Sequence, residues 1–505
     1  MKLSNRLGAA IAVASMLVGT FAGAAPAQAA KQSTLTIGSI IEVKSWDPVQ
    51  ADLGHMAPLY QAVYDTLVTR TPAGKYVPNL ATKWTWGAGG SMLTLNLRKG
   101  VTFTDGTIFD ATVAKANLDA FIGGNGPYST TLAGAVVAVI DPMTIRISLG
   151  SANPDLLYYL ATTDSYMTSS KSIGTAALKT KPVGSGPYIY DSSSVVGSSI
   201  VFTANPKYWD KKKVKFQKVV FKTIADVTAR LNALLSGQID ATLLDVKTAA
   251  TAKGRGFKQY SNNVDWAGFM ILDRNGKLNK DLADPRVRQA IAMSVDRDAL
   301  LKAVQNGYGT VTQEPFGKPS GAYDAKLEKT YSADNAKAKA LLTAAGFPNG
   351  LSINLPAWPD PTMRALLSDQ LGKSGITLNW VSVPAAEYRN VLKAGKWPMA
   401  VYQLGLAQQT AWASINMLAS PNASWNVFHS TDPVISAALD SINKNQSDKN
   451  VAAQAKVINK FLIEQGWFIP FFQLPQLYFT NSHVKTVNQV ANAIPYLYNF
   501  APTGK

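Results

Sequence analysis

The sequence predicts an α/β protein built as two or three lobes. Three observations carry that expectation. Strand-like and helix-like stretches alternate along the chain. Its 505 residues exceed one ordinary domain. Its composition, 47% hydrophobic and 16% charged, is that of a globular chain able to bury a large core.

The elements follow in order. Residues 34–41, TLTIGSII, read as a β-branched strand, and MLTLNLRKG at 92–100 alternates as a second. TDGT at 104–107 is a turn signal, after which Asp110 is placed to cap a helix carrying Ala114, Leu118 and Phe121 on one face. VKFQKVVFKTI at 214–224 reads as a strand. Val227, Leu231, Leu234 and Leu235 then share a helical face that Gly237 terminates. The stretch 284–307 holds two helices: Asp284 caps the first with Pro285 at its first position, and Asp296 caps the second, which ends at Gly307. A capped helix at 332–347 stops at Gly346, and LSINLPAW begins another strand. No fixed-period repeat and no low-complexity linker marks a boundary.

The first thirty residues are read differently. Lys2 and Arg6 precede an apolar run from Leu7 to Ala25, and Ala27-Gln28-Ala29 has the form of a cleavage site, so residues 1–30 are expected to be a secretory signal peptide cut near Ala29/Ala30. No later stretch approaches 18 uninterrupted apolar residues. The chain has no cysteine, which excludes disulfides, thiolate metal sites, a cysteine nucleophile and a lipid-modified Cys anchor. An exported chain without an anchor points to a periplasm bounded by a second membrane.

The formal charge of +17 falls to +15 once Lys2 and Arg6 are removed with the signal peptide. The basic residues are dispersed. The densest run, Lys211-Lys212-Lys213-Val214-Lys215, lacks interleaved aromatics, so a solvated basic face is expected rather than nucleic-acid binding.

Catalytic signatures are missing. His55, His429 and His483 stand far apart and fit no metal-ligand spacing. VGSGPY at 183–188 matches neither Gly-rich phosphate cradle, and there is no G-x-S-x-G elbow. No metal site, cofactor or enzymatic activity is expected.

Several stretches together resemble one family. VYDTLVTRTPAGKYVPNLATKWTW, followed by LTLNLRKGVTFTDGTIFDATVAKANLDAF, is similar to the N-terminal hallmark of the extracellular solute-binding proteins, family 5. VGSGPY, NPKYWD, ARLNALLSGQID, DPRVRQAIAMSVDRDALL and AKALLTAAGFPNGL follow in that family's order. The resemblance runs from about Leu35 to about Val484.

It implies a two-lobed periplasmic-binding-protein fold, type II, of the large cluster with an extra inserted subdomain. Lobe I would comprise 31–56, 186–265 and 480–505, the insertion 57–185, and lobe II 266–479. Two strand-like hinge crossings are expected near 262–268 and 474–482. The implied function is a peptide-, opine- or nickel-type receptor delivering a small solute to the inner-membrane permease of an ABC importer. The receptor would be a monomer and not an enzyme.

By the same resemblance four regions line the cleft: the loop after Asp47-Pro48 with Asp52 and Gly54, Tyr128 in GPYSTTL, Tyr388 in AAEYRNVL, and VYQLGLAQQTAW at 401–412. The last stretch contributes Tyr402, Gly405, Leu406, Gln409 and Trp412, and it has no charged side chain. In the family's amino-peptide receptors a Gly-Trp pair ends this strand, and a carboxylate three residues on meets the peptide's α-ammonium. Here Leu406 replaces the Trp and Gln409 stands at the carboxylate's place. Trp266, Phe269, Trp412 and Trp425 could serve core or cleft equally, whereas Tyr208 and Trp209 are read as packing. The alternatives are an exported hydrolase and an envelope structural or chaperone-like protein.

Overall fold

The computed structural model describes residues 33–504 except 53, 88–89, 151–152, 385–386, 406–409 and 491–493. The expected signal peptide, Leu406 and Gln409 therefore lie outside the described residues. Among those described, no helix is long and apolar enough to cross a membrane.

One sheet runs through both lobes. Its nine described strands lie in the order Met399–Leu404, Lys258–Ile271, Phe468–Thr480, Ala241–Leu244, Thr34–Ser39, Lys218–Thr223, Ser199–Ala204 and Tyr188–Tyr190, with the short Thr310–Val311 against Phe468–Thr480. Thr34–Ser39 is parallel to both its neighbours, and the flanking pairs are antiparallel.

The expected caps Asp110, Asp284 and Asp296 each accept a backbone N–H at the start of their helix, and so do Asp226 and Asp334. At the end of Arg297–Gln305 the chain turns left-handed at Asn306 (φ 49°), whose short amide side chain tolerates that conformation, and again at the expected Gly307 (φ 76°).

Four large apolar clusters fill this frame. One joins Leu35, Trp46, Tyr60, Tyr64, Phe202 and Phe221 beneath the first lobe's strands. A second, drawn from Leu67 to Met167, packs the helix Ala111–Ile122 on the four-stranded sheet of Ala81–Gly87, Met92–Leu97, Thr144–Ser148 and Val136–Asp141. Two more flank the second lobe's end of the sheet, one containing Phe269, Ile291 and Phe471, the other Trp266, Ile415 and Phe468. Trp266 and Phe269 are thus fully buried core. The helix Ala57–Val63 is buried along its whole length and packs with Leu35, Trp46 and Phe202.

The motifs of the resemblance act as architecture. Tyr208 Oη, Trp209 Nε1 and Ser185 Oγ all donate to the buried Asp65 carboxylate, and the Trp209 ring carries the Arg98 guanidinium 4.1 Å from its centre. This bundle ties NPKYWD and VGSGPY to the segment entering the insertion. Gly184 and Gly186 are glycine for a steric reason: a Cβ on either would lie within 2.5 Å of the Val63 backbone.

The two crossings are the long strands Lys258–Ile271 and Phe468–Thr480, paired from Lys258↔Thr480 to Met270↔Phe468. Phe468–Thr480 is a central strand that contains two prolines, which a regular ladder would exclude. Pro475 sits at the register shift between Asn263 and Asp265, and Pro470 at the one between Ala267 and Gly268. Leu477–Thr480 already pairs with Ala241–Leu244, so the second crossing is centred on Leu474–Gln476.

Candidate functional site

The uncharged stretch 401–412 forms two elements. Its strand, Met399–Leu404, ends one residue before Gly405. Thr410 then caps a helix, Ala411–Leu418, that the sequence pattern alone did not reveal. The signal was present, since a Thr directly before an apolar run is a helix start.

Strand alternation turns Ala400, Tyr402 and Leu404 to one face, where they join an aromatic group. The Tyr402 ring lies 4.5 Å from that of Trp425 and stacks on Tyr388 at 6.4 Å with planes 5° apart. Trp358 meets both tyrosines edge-on. Tyr388 is only 4% exposed and its hydroxyl donates to the Val401 carbonyl at 3.0 Å. It therefore props Tyr402, whose half-exposed ring is the outer surface of the pair. Trp412 packs half-buried on the same cluster.

Cationic groups border these rings. Lys393 Nζ stands 3.9 Å from the Trp425 ring centre and bonds to the Ser424 carbonyl. Burial, with the neighbouring Arg389 charge, lowers its pKa to about 8. Arg389 is exposed. Asp265 lies beside Gly405, accepts from Gln403 Nε2 at 2.5 Å, and has its carboxyl pKa pushed up by burial. Trp358, Arg389, Lys393 and Asp265 were not singled out from the sequence, because their roles depend on which strands meet.

The other expected residues lie on other bodies. Asp52 belongs to the loop before Ala57–Val63, and its Oδ1 accepts from the backbone N–H of Gly54 (2.8 Å) and of Met56 (3.3 Å). One carboxylate oxygen is thus committed to holding the loop. Nearby His55 has a buried Nδ1 with no partner among the described residues. Burial chiefly lowers its pKa, so the ring is neutral at pH 7. Tyr128 precedes the turn Ser129–Leu132 and packs on the insertion's core. The structure thus brings Tyr388, Tyr402 and Trp412 together. Among the described residues, Asp52 and Gly54 share no hydrogen bond or ring contact with them.

The insertion and the second lobe also meet directly. Thr410 Oγ1 donates to Asp155 Oδ2 at 2.6 Å. Beside this bond lies a cavity of about 520 Å³, lined by Tyr76, Trp86 and Leu157 on one side and by Lys444, Gln446 and Asp448 on the other.

Two lobes on one sheet, joined by two crossing strands, with an aromatic wall beside the strand-turn, define the class of the periplasmic binding proteins. The model of the bacterial extracellular solute-binding proteins, family 5 middle region, matches residues 75–426. The chain belongs to that family.

Among its relatives, heme-binding protein A of Haemophilus influenzae is 26% identical over 388 residues, covering 68% of each chain. Glutathione-binding protein GsiB of Salmonella paratyphi A is 28% identical over 363 residues, covering 70% of this chain and 68% of the relative. Among solved structures, HbpA2 of Haemophilus parasuis superposes with a TM-score of 0.80 at 21% identity, covering 93% of this chain and all of the other. NikZ of Campylobacter jejuni, solved with Ni(L-His), gives 0.75 at 23% identity, covering 93% and 99%. At such identities the structural likenesses establish the fold. The family establishes the general role, a solute-binding receptor.

Proposed function

We propose that this chain is exported to the periplasm, loses residues 1–30 and works as a monomer. It captures a small organic solute between its lobes and delivers it unchanged to the permease of an ABC importer. Asp52, Gly54, Tyr128, Tyr402, Gly405, Leu406, Gln409 and Trp412 approach the solute, and Tyr388 supports Tyr402. Lobe I and lobe II are divided at the two crossings, and the insertion's own core spans Leu67 to Met167.

The observation that carries this reading is the wall on the second lobe. Tyr402 offers an aromatic face, Arg389 and Lys393 border it, and the strand-turn beneath has no acid of its own. Pockets of this kind are mostly apolar with a few placed polar groups. The wall suits a solute with a flat or apolar body and a neutral or anionic end. It does not suit one presenting an ammonium, since a neutral amide at 409 cannot offset a buried cation. One relative is named for heme, a flat, largely apolar ring that carries carboxylates.

The test has two parts. Small molecules released by denaturing purified protein are identified by mass spectrometry, and that solute is returned to the protein. At about 100 times its dissociation constant it should add roughly 2.7 kcal/mol of stability, with a smaller radius of gyration in solution scattering and no turnover. Unblocked dipeptides should bind about a thousandfold more weakly than the solute, since an unpaired buried ammonium costs several kcal/mol. Gln409→Asp should weaken the native solute. Titration showing micromolar binding of unblocked dipeptides to the unmodified protein would overturn the proposed solute class, and turnover of the solute would overturn the receptor.

A further inference from the structure

Asp155 stands at the N-cap position of the short helix Leu156–Leu160, where an aspartate ordinarily bonds its own helix's first N–H groups. It makes no such bond. Its carboxylate turns instead to the other lobe and accepts the Thr410 hydroxyl. Thr410 Oγ1 in turn accepts the backbone N–H of Ala413 at 3.1 Å. The result is one relay, from the first turn of Ala411–Leu418 through a hydroxyl to a carboxylate on a different body. Thr410 directly follows the segment 405–409 that the proposed function places against the solute.

We propose that Asp155 is a positioning residue whose contact with Thr410 holds the start of the helix Ala411–Leu418 as the clamp shuts, and that it makes closure proton-linked. The inference rests on the two-lobed clamp reading. Asp155 lies within the insertion and Thr410 within the second lobe, so opening at the crossings separates them and returns the carboxylate to water. Gly90 against Gln446, across the adjoining cavity, belongs to the same closing seam.

The groups facing Asp155 do not neutralise it. Arg70 favours its charged form, but that guanidinium lies over the rings of Tyr158 (5.1 Å) and Tyr76 (5.7 Å), and no ion pair with Asp155 exists among the described residues. Asp448 disfavours the charge, and Tyr76 and Tyr159 are also close enough to sense it. Burial is the largest influence and lifts the closed-state pKa to about 6, against the bonds from Thr410 and Ala413. In the open state the usual carboxylate value near 4 applies. A pKa higher in the closed form favours closure at low pH, and that preference fades as pH rises from about 4 to about 6. Two pKa units correspond to a change of about a hundredfold in the closure equilibrium.

The absence of cysteine makes the test direct. Nitroxide labels on Thr112→Cys and Lys456→Cys, both exposed, report the distance between insertion and second lobe in the solute-free full chain. The closed-to-open ratio should fall ten- to a hundredfold between pH 4 and pH 7.5. Asp155→Asn should be flat across that range and as closed at pH 7.5 as the parent at pH 4. Thr410→Val should keep the pH dependence and close several-fold less at pH 7.5, since the charged carboxylate loses its donor. A parent with two distances but no pH dependence, or an Asp155→Asn profile equal to the parent's, overturns the inference and leaves the clamp standing. A single distance under all conditions, unchanged by the released solute, overturns both.

Discussion

At one end of the lobes the join is a backbone ladder that runs from Lys258↔Thr480 to Met270↔Phe468 with two register shifts. At the other end it is a seam of side chains around a cavity, closed by Asp155 and Thr410. The ladder hides its N–H and C=O groups in mutual bonds, so parting it would strand many buried polar groups together. The seam can part for the cost of a few contacts that water replaces. On the clamp proposed above, the molecule would bend at the ladder and open at the seam. The ladder's two prolines and two register shifts mark where bending is easiest.

The comparison breaks most visibly at Gly268. A Cβ there would fall 2.4 Å from the Ile469 carbonyl oxygen and 2.6 Å from Pro470 Cα, both backbone atoms in the ladder. Gly268→Val should destabilise the protein by about 3 kcal/mol or more, read by urea unfolding. A variant of unchanged stability would mean the strands do not pair this closely.

Next in size is the pH dependence of stability. Away from the ladder, two carboxyls are buried with too few donors: burial raises Asp164 in the insertion and Glu314 in the second lobe to about 7. Thr131 and Thr163 donate to the first, Asn459 and the Asp324 N–H to the second. Their native pKa values exceed those of the unfolded chain, so their penalty is absent below about pH 4 and complete above about pH 7. Unfolding free energy should therefore fall by about 2 kcal/mol or more between pH 4.5 and 8. Asp164→Asn should remove roughly half of that fall and leave the Glu314 share, since the Thr131 hydroxyl can turn to accept from an amide. An equal slope in the variant would remove Asp164 as a cause. Below about pH 4 the trend reverses as Asp284, held below the usual carboxylate range by bonds from Arg286, takes up its proton.

The smallest effect on stability, and the sharpest on motion, is expected at Pro475. Pro475→Val lets the central strand regain a backbone donor opposite Asn263. Stability should move by less than about 1 kcal/mol, while the difference in radius of gyration between solute-free and solute-bound protein should shrink. An undiminished difference would move the bending point elsewhere.

Local features are legible in the amino-acid order alone. Caps such as Asp110 and Asp284, the buried face Ala114, Leu118 and Phe121, and the glycine at 237 follow from rules that act within one or two turns of chain. The ordered motifs identify the family for the same reason: each is a local necessity, as Gly184 and Gly186 beside Val63 show. The helix Ala411–Leu418 escapes such a reading because the apolar strand before it dominates the pattern.

What the sequence determined by itself was therefore a subset of the elements with their caps, the fold class and the uncharged character of residues 401–412. Tertiary structure decided which side chains meet. Tyr388 and Tyr402 both looked like contact aromatics, but the packing of Tyr388 Oη on the Val401 carbonyl leaves only Tyr402 half-exposed. Asp155 and Thr410 are 255 positions apart, and nothing near either predicts the bond. Burial and desolvation are sums over neighbours brought from distant parts of the chain, so a carboxylate's charge state, and with it the behaviour of the seam, is set only when the lobes come together.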